Sequence, residues 1–230
     1  MKPKGERVLV ICLFCVLALL TGPVPTFSQS KIWNFDKDKA QALPLGWISE
    51  LTGQGAKGTW LVVPDSTAPS KPNVLAQTST DATDYRFPLA IVEDTNYKDL
   101  DLSVRVKAIS GSVDQGGGLV WRYRDANNYY ILRANALEDN VVLYKVENGK
   151  RTHIKPRGAT GRGYGVKIKV PGNVWNTLSV KVRGGAFEVN FNGQKLYEVD
   201  DTTFTEAGKI GLWTKADSVI HFDDLTVEPK

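Results

Sequence analysis

The feature that most limits the fold of this chain is a recurring alternation of apolar and polar residues with a period of two. Residues 101–108, 177–183 and 186–192 place Leu, Val, Phe or Ala at every second position, with polar residues between them. Successive side chains of a β-strand point to opposite faces, so these segments predict strands with one buried face. Residues 164–170 show the same alternation. No segment keeps the 3.6-residue apolar period of an amphipathic helix, and we therefore expect an all-β protein.

The turn residues between these segments support the same fold class. Asn192-Gly193 and Asn148-Gly149 each separate two strand-like segments, and the glycines at 184–185 form a third tight reversal. Both central residues of a type I′ hairpin turn have φ > 0, which Gly and Asn adopt most readily. Many short strands joined by tight turns predict a two-sheet antiparallel sandwich with jelly-roll topology.

Residues 1–28 have the composition of a cleavable signal peptide. Three basic residues precede an apolar run at 8–20, and small residues up to Ser28 suit a cleavage site. The run is too short to span a bilayer comfortably, although an uncleaved N-terminal anchor is the alternative. We expect residues 29–230 to form a single β-sandwich domain, because no linker-like segment divides them. This mature protein should be secreted or periplasmic, without stable membrane insertion.

Cysteine usage and charge exclude several classes of function. Both cysteines, Cys12 and Cys15, lie in the predicted signal peptide, so the mature protein has no disulfide, cysteine nucleophile or thiolate metal site. The whole chain has 29 basic and 25 acidic residues, and removal of the signal leaves 26 and 24. A nearly neutral exported protein is not expected to bind nucleic acid.

The central segment Gly116–Asn135, with the letters GGGLVWRYRDANNYYILRAN, carries a resemblance to a known family. It resembles the central hairpin of the concanavalin A-like lectin/glucanase superfamily, and within it the LamG-like branch that contains the 3-keto-disaccharide hydrolase-like domain. Other segments that resemble this family are Trp33–Asp36, Gly46-Trp47, Gly58–Trp60, Trp175–Val182, Phe187–Gly193, Gly208–Trp213 and His221–Val227.

The resemblance implies a concanavalin A-like jelly roll, but it does not select one function. This architecture occurs in lectins, hydrolases and structural modules alike. The paired carboxylates of the family's glucanases, Glu-x-Asp-x-x-Glu on one strand, have no counterpart in this chain. Glu188 and Glu198 lie on neighbouring predicted strands without that spacing. No catalytic residue is therefore assigned.

The central hairpin supplies most of the candidate binding residues. A four-residue loop at 125–128 would pair Arg124 with Tyr129, Arg122 with Ile131 and Val120 with Arg133, and these residues would share one face. That face should be exposed, with Arg105 joining it from an adjacent strand. Forked guanidinium donors beside an aromatic ring suit sugar hydroxyls or carboxylates. The alternative is a solvated outer face, and a one-residue slip in register would exchange the two faces.

Trp213 is the sixth candidate, because an aromatic ring can stack on the apolar C–H face of a sugar. It is out of phase with the apolar residues Ile210 and Leu212 of its own segment. The predicted ligand-binding residues are therefore Arg105, Arg122, Arg124, Tyr129, Arg133 and Trp213.

The sequence gives no pattern for a metal or cofactor, and we expect neither. The two histidines, His153 and His221, have no metal-ligand spacing. The adjacent acids at 138–139, 200–201 and 223–224 would face water or opposite sides of a strand, so none forms an acid/base pair. One alternative is a calcium ion that bridges Asp36 and Asp223, since related sandwiches often use hard oxygen ligands to fix terminal strands.

These observations favour a non-catalytic carbohydrate-binding module whose partner is a glycan or oligosaccharide, and we expect it to be a monomer. One alternative is a glycoside hydrolase of the 3-keto-disaccharide type. Another is a structural or interaction domain without a small ligand. The basic loop at 155–163 could grip an acidic polymer, or it could simply be a solvated loop.

Overall fold

The computed structural model describes residue 1 and residues 29–230, so most of the predicted signal peptide lies outside the described residues. Within residues 29–230 there is no α-helix, and sixteen strands form two antiparallel sheets. None of the described elements is a helix long and apolar enough to cross a membrane. The predicted all-β, two-sheet jelly-roll sandwich is confirmed.

Strands are numbered in chain order. The first sheet contains, in spatial order, β14 (Gln194–Asp200), β13 (Ala186–Phe191), β12 (Asn176–Arg183), β6 (Leu100–Ser110), β16 (Val219–Pro229), β4 (Asn73–Gln77) and β3 (Trp60–Pro64), with β1 (Lys31–Trp33) paired to β16. The second sheet contains β10 (Lys150–His153), β9 (Asn140–Glu147), β8 (Asn128–Asn135), β7 (Gly116–Asp125), β15 (Lys209–Thr214), β5 (Arg86–Val92) and β2 (Trp47–Gly53), with β11 (Val166–Lys167) paired to β9.

The main core lies between the two sheets and contains the predicted apolar positions. The alternating residues of β6, β12 and β13 that point inward are all buried. Full burial of an apolar side chain of this size contributes roughly 1.5–3 kcal/mol. Residues 164–170 were also predicted as a strand, but only Val166–Lys167 pair with a neighbour there.

The second sheet is strongly curled. Its strands β10 and β5 are separated by four other strands, which would place them roughly 24 Å apart in a flat sheet. Yet the Arg151 guanidinium of β10 lies 4.5 Å from the ring centroid of Phe87 on β5. The Tyr85 hydroxyl, just before β5, also donates to the Gly149 carbonyl in the β9–β10 turn at 3.1 Å. The face turned away from the main core is therefore concave.

This concave face encloses a second apolar cluster. Thr52 on the edge strand β2 reaches across it, with its hydroxyl 2.6 Å from the Tyr129 hydroxyl on β8. The Thr52 hydroxyl also donates to the Ala126 carbonyl in the β7–β8 turn. The buried members of the cluster are Phe87, Leu89, Ile91, Val120, Tyr123, Tyr129, Ile131, Val146 and Trp213. The second sheet is thus buried on both faces.

The β7–β8 hairpin differs from its predicted register. Val120 pairs with Ile131, and Gly118 pairs with Arg133, so the pairing is shifted by two residues. The cause is a bulge between Trp121 and Asp125, at which Arg122 has a φ of 47°. A bulge adds residues to one strand and redirects the side chains within it. Val120, Tyr129, Ile131 and Arg133 do share one face, as predicted, but this face is buried where an exposed one was expected. Arg122, inside the bulge, leaves it.

Arg122 is consequently buried and not solvent-facing. Its guanidinium donates to the carbonyl oxygens of Phe204 at 2.6 Å, Gly184 at 2.7 Å and Lys98 at 3.0 Å. Its Nη2 also lies 3.4 Å from the Asp99 carboxylate. These bonds join three separate loops at one end of the sandwich. Arg122 therefore has a structural role that its position in the sequence did not indicate.

We predict that Arg122→Lys lowers the free energy of unfolding by about 2–3 kcal/mol, because an ammonium group cannot satisfy three carbonyl oxygens in this geometry. The matched control is Arg124→Lys, two residues away and exposed. That change should alter stability by no more than about 0.5 kcal/mol. Urea denaturation of the two variants measures the difference, and equal losses would contradict the assigned role of Arg122.

The predicted Asn192-Gly193 turn is confirmed, with φ angles of 49° and 79°. No atom lies within 4 Å of a Cβ built on Gly193, so only the backbone conformation opposes a side chain there.

We therefore predict that Gly193→Val costs about 1–2 kcal/mol in the free energy of unfolding, through left-handed backbone strain. Gly193→Asn should cost less, because Asn tolerates this conformation better than a β-branched residue does. Denaturation midpoints of both variants test this. The interpretation fails if Val and Asn give the same loss.

Candidate functional site

A network of charged and amide side chains lies on the concave face where β8 ends and β9 begins. Arg133 on β8 alternates with core residues and points to this face, where it is 1% exposed. Its Nη2 donates to Glu138 at 2.7 Å and to the Asn140 side-chain oxygen at 2.9 Å. Asn140 also donates to Glu138 at 2.9 Å. Glu138 lies in the β8–β9 turn with 39% of its side chain exposed, so it links a buried cation to the surface.

A second set of ion pairs, centred on Lys215, lies beside the Arg133 network. The Lys215 ammonium, just after β15, is 2.7 Å from Asp84 and 3.1 Å from Asp114. Asp114 precedes β7, is 2% exposed and accepts a hydrogen bond from Asn135 at 2.9 Å. Asp84 is largely exposed. Acids and bases therefore alternate from the floor of this region to its rim.

Aromatic rings border the charged groups. Tyr144 on β9 and Tyr164, from the loop that follows β10, have hydroxyl groups 2.5 Å apart. The guanidinium carbons of Arg133 and Arg151 lie 5.4 and 4.7 Å from the centroid of the Tyr144 ring. We call this region the concave-face cluster; it comprises Asp84, Asp114, Arg133, Glu138, Asn140, Tyr144, Arg151, Tyr164 and Lys215.

Glycine at the start of β7 gives the cluster its space. A Cβ built on Gly116 would lie 2.7 Å from a carboxylate oxygen of Asp114 and 3.1 Å from Cδ of Arg133. A side chain at this position would therefore displace both charged groups. The glycine run of the sequence meets a packing requirement here, since it lets two buried side chains approach the backbone.

Three buried N–H donors around the cluster lack an acceptor among residues 29–230. They are Nε of Arg133, Nη1 of Arg151 and the indole nitrogen of Trp213. The Trp213 indole lies beside the Tyr129 hydroxyl, but without normal hydrogen-bond geometry. Buried donors in proteins are nearly always paired with protein atoms or ordered water. These three share their lack of an acceptor with the indole nitrogens of Trp60 and Trp121 in the main core.

Two carboxyl groups of the cluster have pKa values shifted in opposite directions. Burial raises the pKa of Asp114, and Arg133 and Lys215 only partly oppose that shift. Burial would also raise the pKa of Glu138, but the charge of Arg133 and the hydrogen bonds from Asn140 and Arg133 lower it overall. Such a separation is what an acid/base pair requires.

Three of the six predicted binding residues share the concave face. Arg133 belongs to the cluster, Trp213 borders it, and Tyr129 lies in the apolar part with its hydroxyl on Thr52. Trp213 does point away from Ile210 and Leu212, as predicted, but it is buried instead of exposed. A ligand-binding role for Arg133, Tyr129 and Trp213 stays a prediction.

The other three predicted residues lie elsewhere, so the expected single cationic face is wrong. Arg105 belongs to β6 of the first sheet and donates to the Thr177 hydroxyl at 2.9 Å on the opposite side of the molecule. Arg122 is buried at one end of the sandwich, and Arg124 lies exposed over Phe204, with its guanidinium carbon 5.0 Å from that ring. The sequence pattern does not say which strands share a sheet.

The carboxylates that were considered for calcium already accept backbone hydrogen bonds. Asp36 accepts from the Asn73 amide at 3.1 Å, and Asp223 accepts from the amides of Ser70 at 2.9 Å and Asp224 at 2.8 Å. In the part of the chain that the structure describes, no group of three or more His, Cys, Asp or Glu side chains is arranged to hold a metal ion.

The sequence analysis did not predict most residues of the cluster. One sequence pattern nevertheless indicated that this face of β8 and β9 is covered. In β8 and β9 both sets of alternating positions are largely apolar, as in Tyr129–Leu132 and Val141–Tyr144. Strands that read as apolar on both sides are covered on both faces. A charged residue within such a strand, Arg133, is then a buried charge that needs partners.

Comparison with known families identifies the chain. Residues 46–228 match the family described as the 3-keto-alpha-glucoside-1,2-lyase-like domain. The chain belongs to this family. The predicted resemblance to the 3-keto-disaccharide hydrolase branch is thereby confirmed. No curated protein shows significant similarity to the chain.

Solved structures with the same fold include carbohydrate-binding proteins. The carbohydrate-binding module CBM66 from Bacillus subtilis is 22% identical, with a TM-score of 0.59 over 80% of this chain and 95% of that one. The cellulose induced protein Cip1 is 11% identical, with a TM-score of 0.58 over 87% and 96% of the two chains. Domain 4 of AbnA, a GH43 extracellular arabinanase from Geobacillus stearothermophilus in complex with arabinotriose, is 15% identical, with a TM-score of 0.53 over 88% and 94%. This chain therefore shares the β-sandwich fold of these proteins.

On the opposite side of the molecule, the loop after β3 is held on the outer face of the first sheet by buried charges. Asp65 pairs with Lys107 and with Nδ1 of His221, the latter at 2.8 Å. Farther along the loop, Ser70 donates its amide to Asp223, which is completely buried. Burial raises the pKa of Asp223 to about 7.

We predict that Asp223 makes stability fall as the pH rises. The unfolded chain releases this proton near pH 4 and the folded chain near pH 7, so the folded state binds more protons between these values. Between pH 5 and pH 8, the unfolding free energy of the wild type should therefore fall by about 2 kcal/mol more than that of Asp223→Asn. Denaturation at both pH values measures the slopes. Glu93→Gln, which removes an exposed carboxylate after β5, is the control and should keep the wild-type slope. Identical slopes for wild type and Asp223→Asn would refute the assignment.

Proposed function

We propose that the concave-face cluster binds a sugar, and that this protein is an exported carbohydrate-binding module. The observation that carries the proposal is the meeting of charged side chains, partly exposed carboxylates and aromatic rings on one concave surface. A sugar ring presents hydroxyl groups at its edge and apolar C–H groups on its faces. A site for it therefore needs both polar donors and aromatic rings.

The cluster offers these groups at the accessible edge of the buried network. Glu138 and Asp84 have exposed carboxylates that can accept hydrogen bonds from hydroxyl groups. Lys215 is anchored by two acids, and Tyr164 is half-buried on the loop after β10. Because the network fixes these side chains before a ligand arrives, little side-chain entropy would be lost on binding.

Solved structures with the same fold also support the proposal of sugar binding. One neighbour of the same fold is a carbohydrate-binding module, and another is a domain of an arabinanase in complex with arabinotriose. By analogy with these proteins we propose a glycan as the ligand of this chain. The signal-like composition of residues 1–28 supports export to the cell surface or periplasm, where such polymers occur. We further propose that the protein acts as a monomer.

A second candidate function is cleavage of a 3-keto-glycoside. The family description names a 1,2-lyase, and the opposed pKa shifts of Asp114 and Glu138 favour proton transfer in the cluster. In such an elimination a base removes the C2 proton, which the C3 ketone acidifies. The C1–O bond then breaks, and an acid protonates the departing oxygen. Arg133, between the two carboxyl groups, is suited to stabilise the enolate.

We predict that Tyr164→Leu weakens sugar binding about tenfold, because it removes one aromatic ring from the rim and leaves the buried network intact. The control is Trp175→Leu, which removes a half-buried aromatic residue just before β12 of the first sheet and should leave the affinity unchanged. A glycan array identifies the sugars bound by the wild type, and calorimetry on those sugars compares the variants. The absence of any bound sugar, or equal effects of the two variants, would contradict the proposed site.

The catalytic alternative is separated by following a 3-keto-glucoside during incubation with the protein. Binding without product formation supports a binding module. Product formation that Asp114→Asn abolishes, while sugar affinity is retained, supports the lyase instead.

A further inference from the structure

Arg151 on β10 is partly buried, and its surroundings differ from those of the buried arginines. Its guanidinium carbon lies 4.5 Å from the centroid of Phe87, 4.7 Å from that of Tyr144 and 5.6 Å from that of Trp213. The curl of the second sheet brings these rings together from three different strands. Arg151 is thus a cation held among aromatic rings on the floor of the concave face.

The charge of Arg151 is not balanced by a direct partner. Within residues 29–230, its guanidinium makes no hydrogen bond and no ion pair, and its Nη1 is buried. Asp84 lies close enough for Arg151 to lower its pKa, but its carboxylate contacts Lys215. By contrast, Arg86 donates to the carbonyls of Ala56 and Ala216 at 2.7 and 2.5 Å.

A second guanidinium without a carboxylate partner lies at the exposed rim of the cluster. Arg162 belongs to the loop after β10, and its guanidinium carbon is 5.2 Å from the Tyr164 ring centroid. Tyr164 bonds in turn to Tyr144, which Arg151 covers. Among the described residues, no carboxylate lies within ion-pair distance of Arg162 either. Two positive charges without a direct carboxylate partner therefore flank one pair of tyrosines.

Several cations on the outer face of the first sheet are paired with carboxylates. There Lys181 and Lys195 contact Glu188 at 2.8 and 3.2 Å, and Arg183 contacts Asp101 at 2.7 Å. Those charges are paired and partly exposed, as on an ordinary solvated surface. In the described part of the chain, Arg105 on this sheet also lacks a carboxylate partner, but its guanidinium donates to the Thr177 hydroxyl at 2.9 Å. The guanidinium groups of Arg151 and Arg162, beside the proposed sugar site, make no hydrogen bond among residues 29–230.

From these contacts we infer that the sugar bound at the concave-face cluster is anionic and that Arg151 holds its negative group. This inference rests on the proposed function and specifies its ligand class. A carboxylate or sulfate on the sugar would accept charge-assisted hydrogen bonds from the free edge of the guanidinium, while the aromatic rings hold the group in position. Arg162 would add a second positive charge at the rim. A neutral sugar would leave a partly buried cation without a counter-charge.

The experiment compares sugars that differ only at C6. Calorimetry measures the binding of methyl glucuronide and methyl galacturonide against methyl glucoside and methyl galactoside, with the 6-sulfates of the neutral pair as a third arm. We expect at least one charged sugar to bind tenfold or more tightly than its neutral counterpart, and this preference to weaken at high salt. The uronate and sulfate arms identify which anion is preferred.

The variant series uses the ratio of charged to neutral affinity within each protein, because partial loss of folding lowers both affinities alike. Arg151→Gln should reduce that ratio to near one, and Arg151→Lys should retain part of it. Arg183→Gln, which removes an arginine from the first sheet, is the control and should keep the wild-type ratio. Equal affinity for charged and neutral sugars, or a preference that survives Arg151→Gln, overturns this inference but leaves the proposed sugar site standing. Failure of the wild type to bind any sugar overturns the proposed function itself.

Discussion

Burial of both faces of the second sheet is the constraint on which the rest of this structure depends. One face packs on the first sheet, as in any sandwich, while the other curls around a second apolar cluster. The curl brings β10 to β5 and β2 to β8, although each pair is far apart in the order of the sheet. Side chains from distant strands therefore meet on one concave surface, and this meeting produces the candidate site.

Burial of a charged side chain on an apolar concave surface costs desolvation free energy. In the concave-face cluster, hydrogen bonds and ion pairs offset this cost. Arg133 is almost completely buried, and Glu138 and Asn140 compensate it with hydrogen bonds. Asp114 is also buried and shares Lys215 with an exposed acid. Such networks are expensive to desolvate and can be neutral for stability. This cost to stability is consistent with the proposed role of the network in recognising a polar ligand.

The strands and the main core could be predicted, whereas the faces of the central hairpin could be predicted only in part. The alternation in β6, β12 and β13 states which residues are buried, because a period of two leaves no other arrangement for a half-buried strand. Arg122 shows the limit of that reasoning. A bulge between Trp121 and Asp125 turned it inward, where it bonds to carbonyls of distant loops. Nothing in the local letters distinguishes it from the exposed Arg124.

The sequence by itself determined the all-β class, the hairpin turn at Asn192-Gly193 and the family resemblance, because each depends on local periodicity, turn chemistry or a contiguous motif. Only the tertiary structure decided which side chains form the candidate site. Assignment of strands to sheets separated Arg105 from Arg133, and curvature brought Arg151 to Trp213. Both are non-local properties, set by packing between segments distant in sequence. A pattern read along one strand contains no information about them.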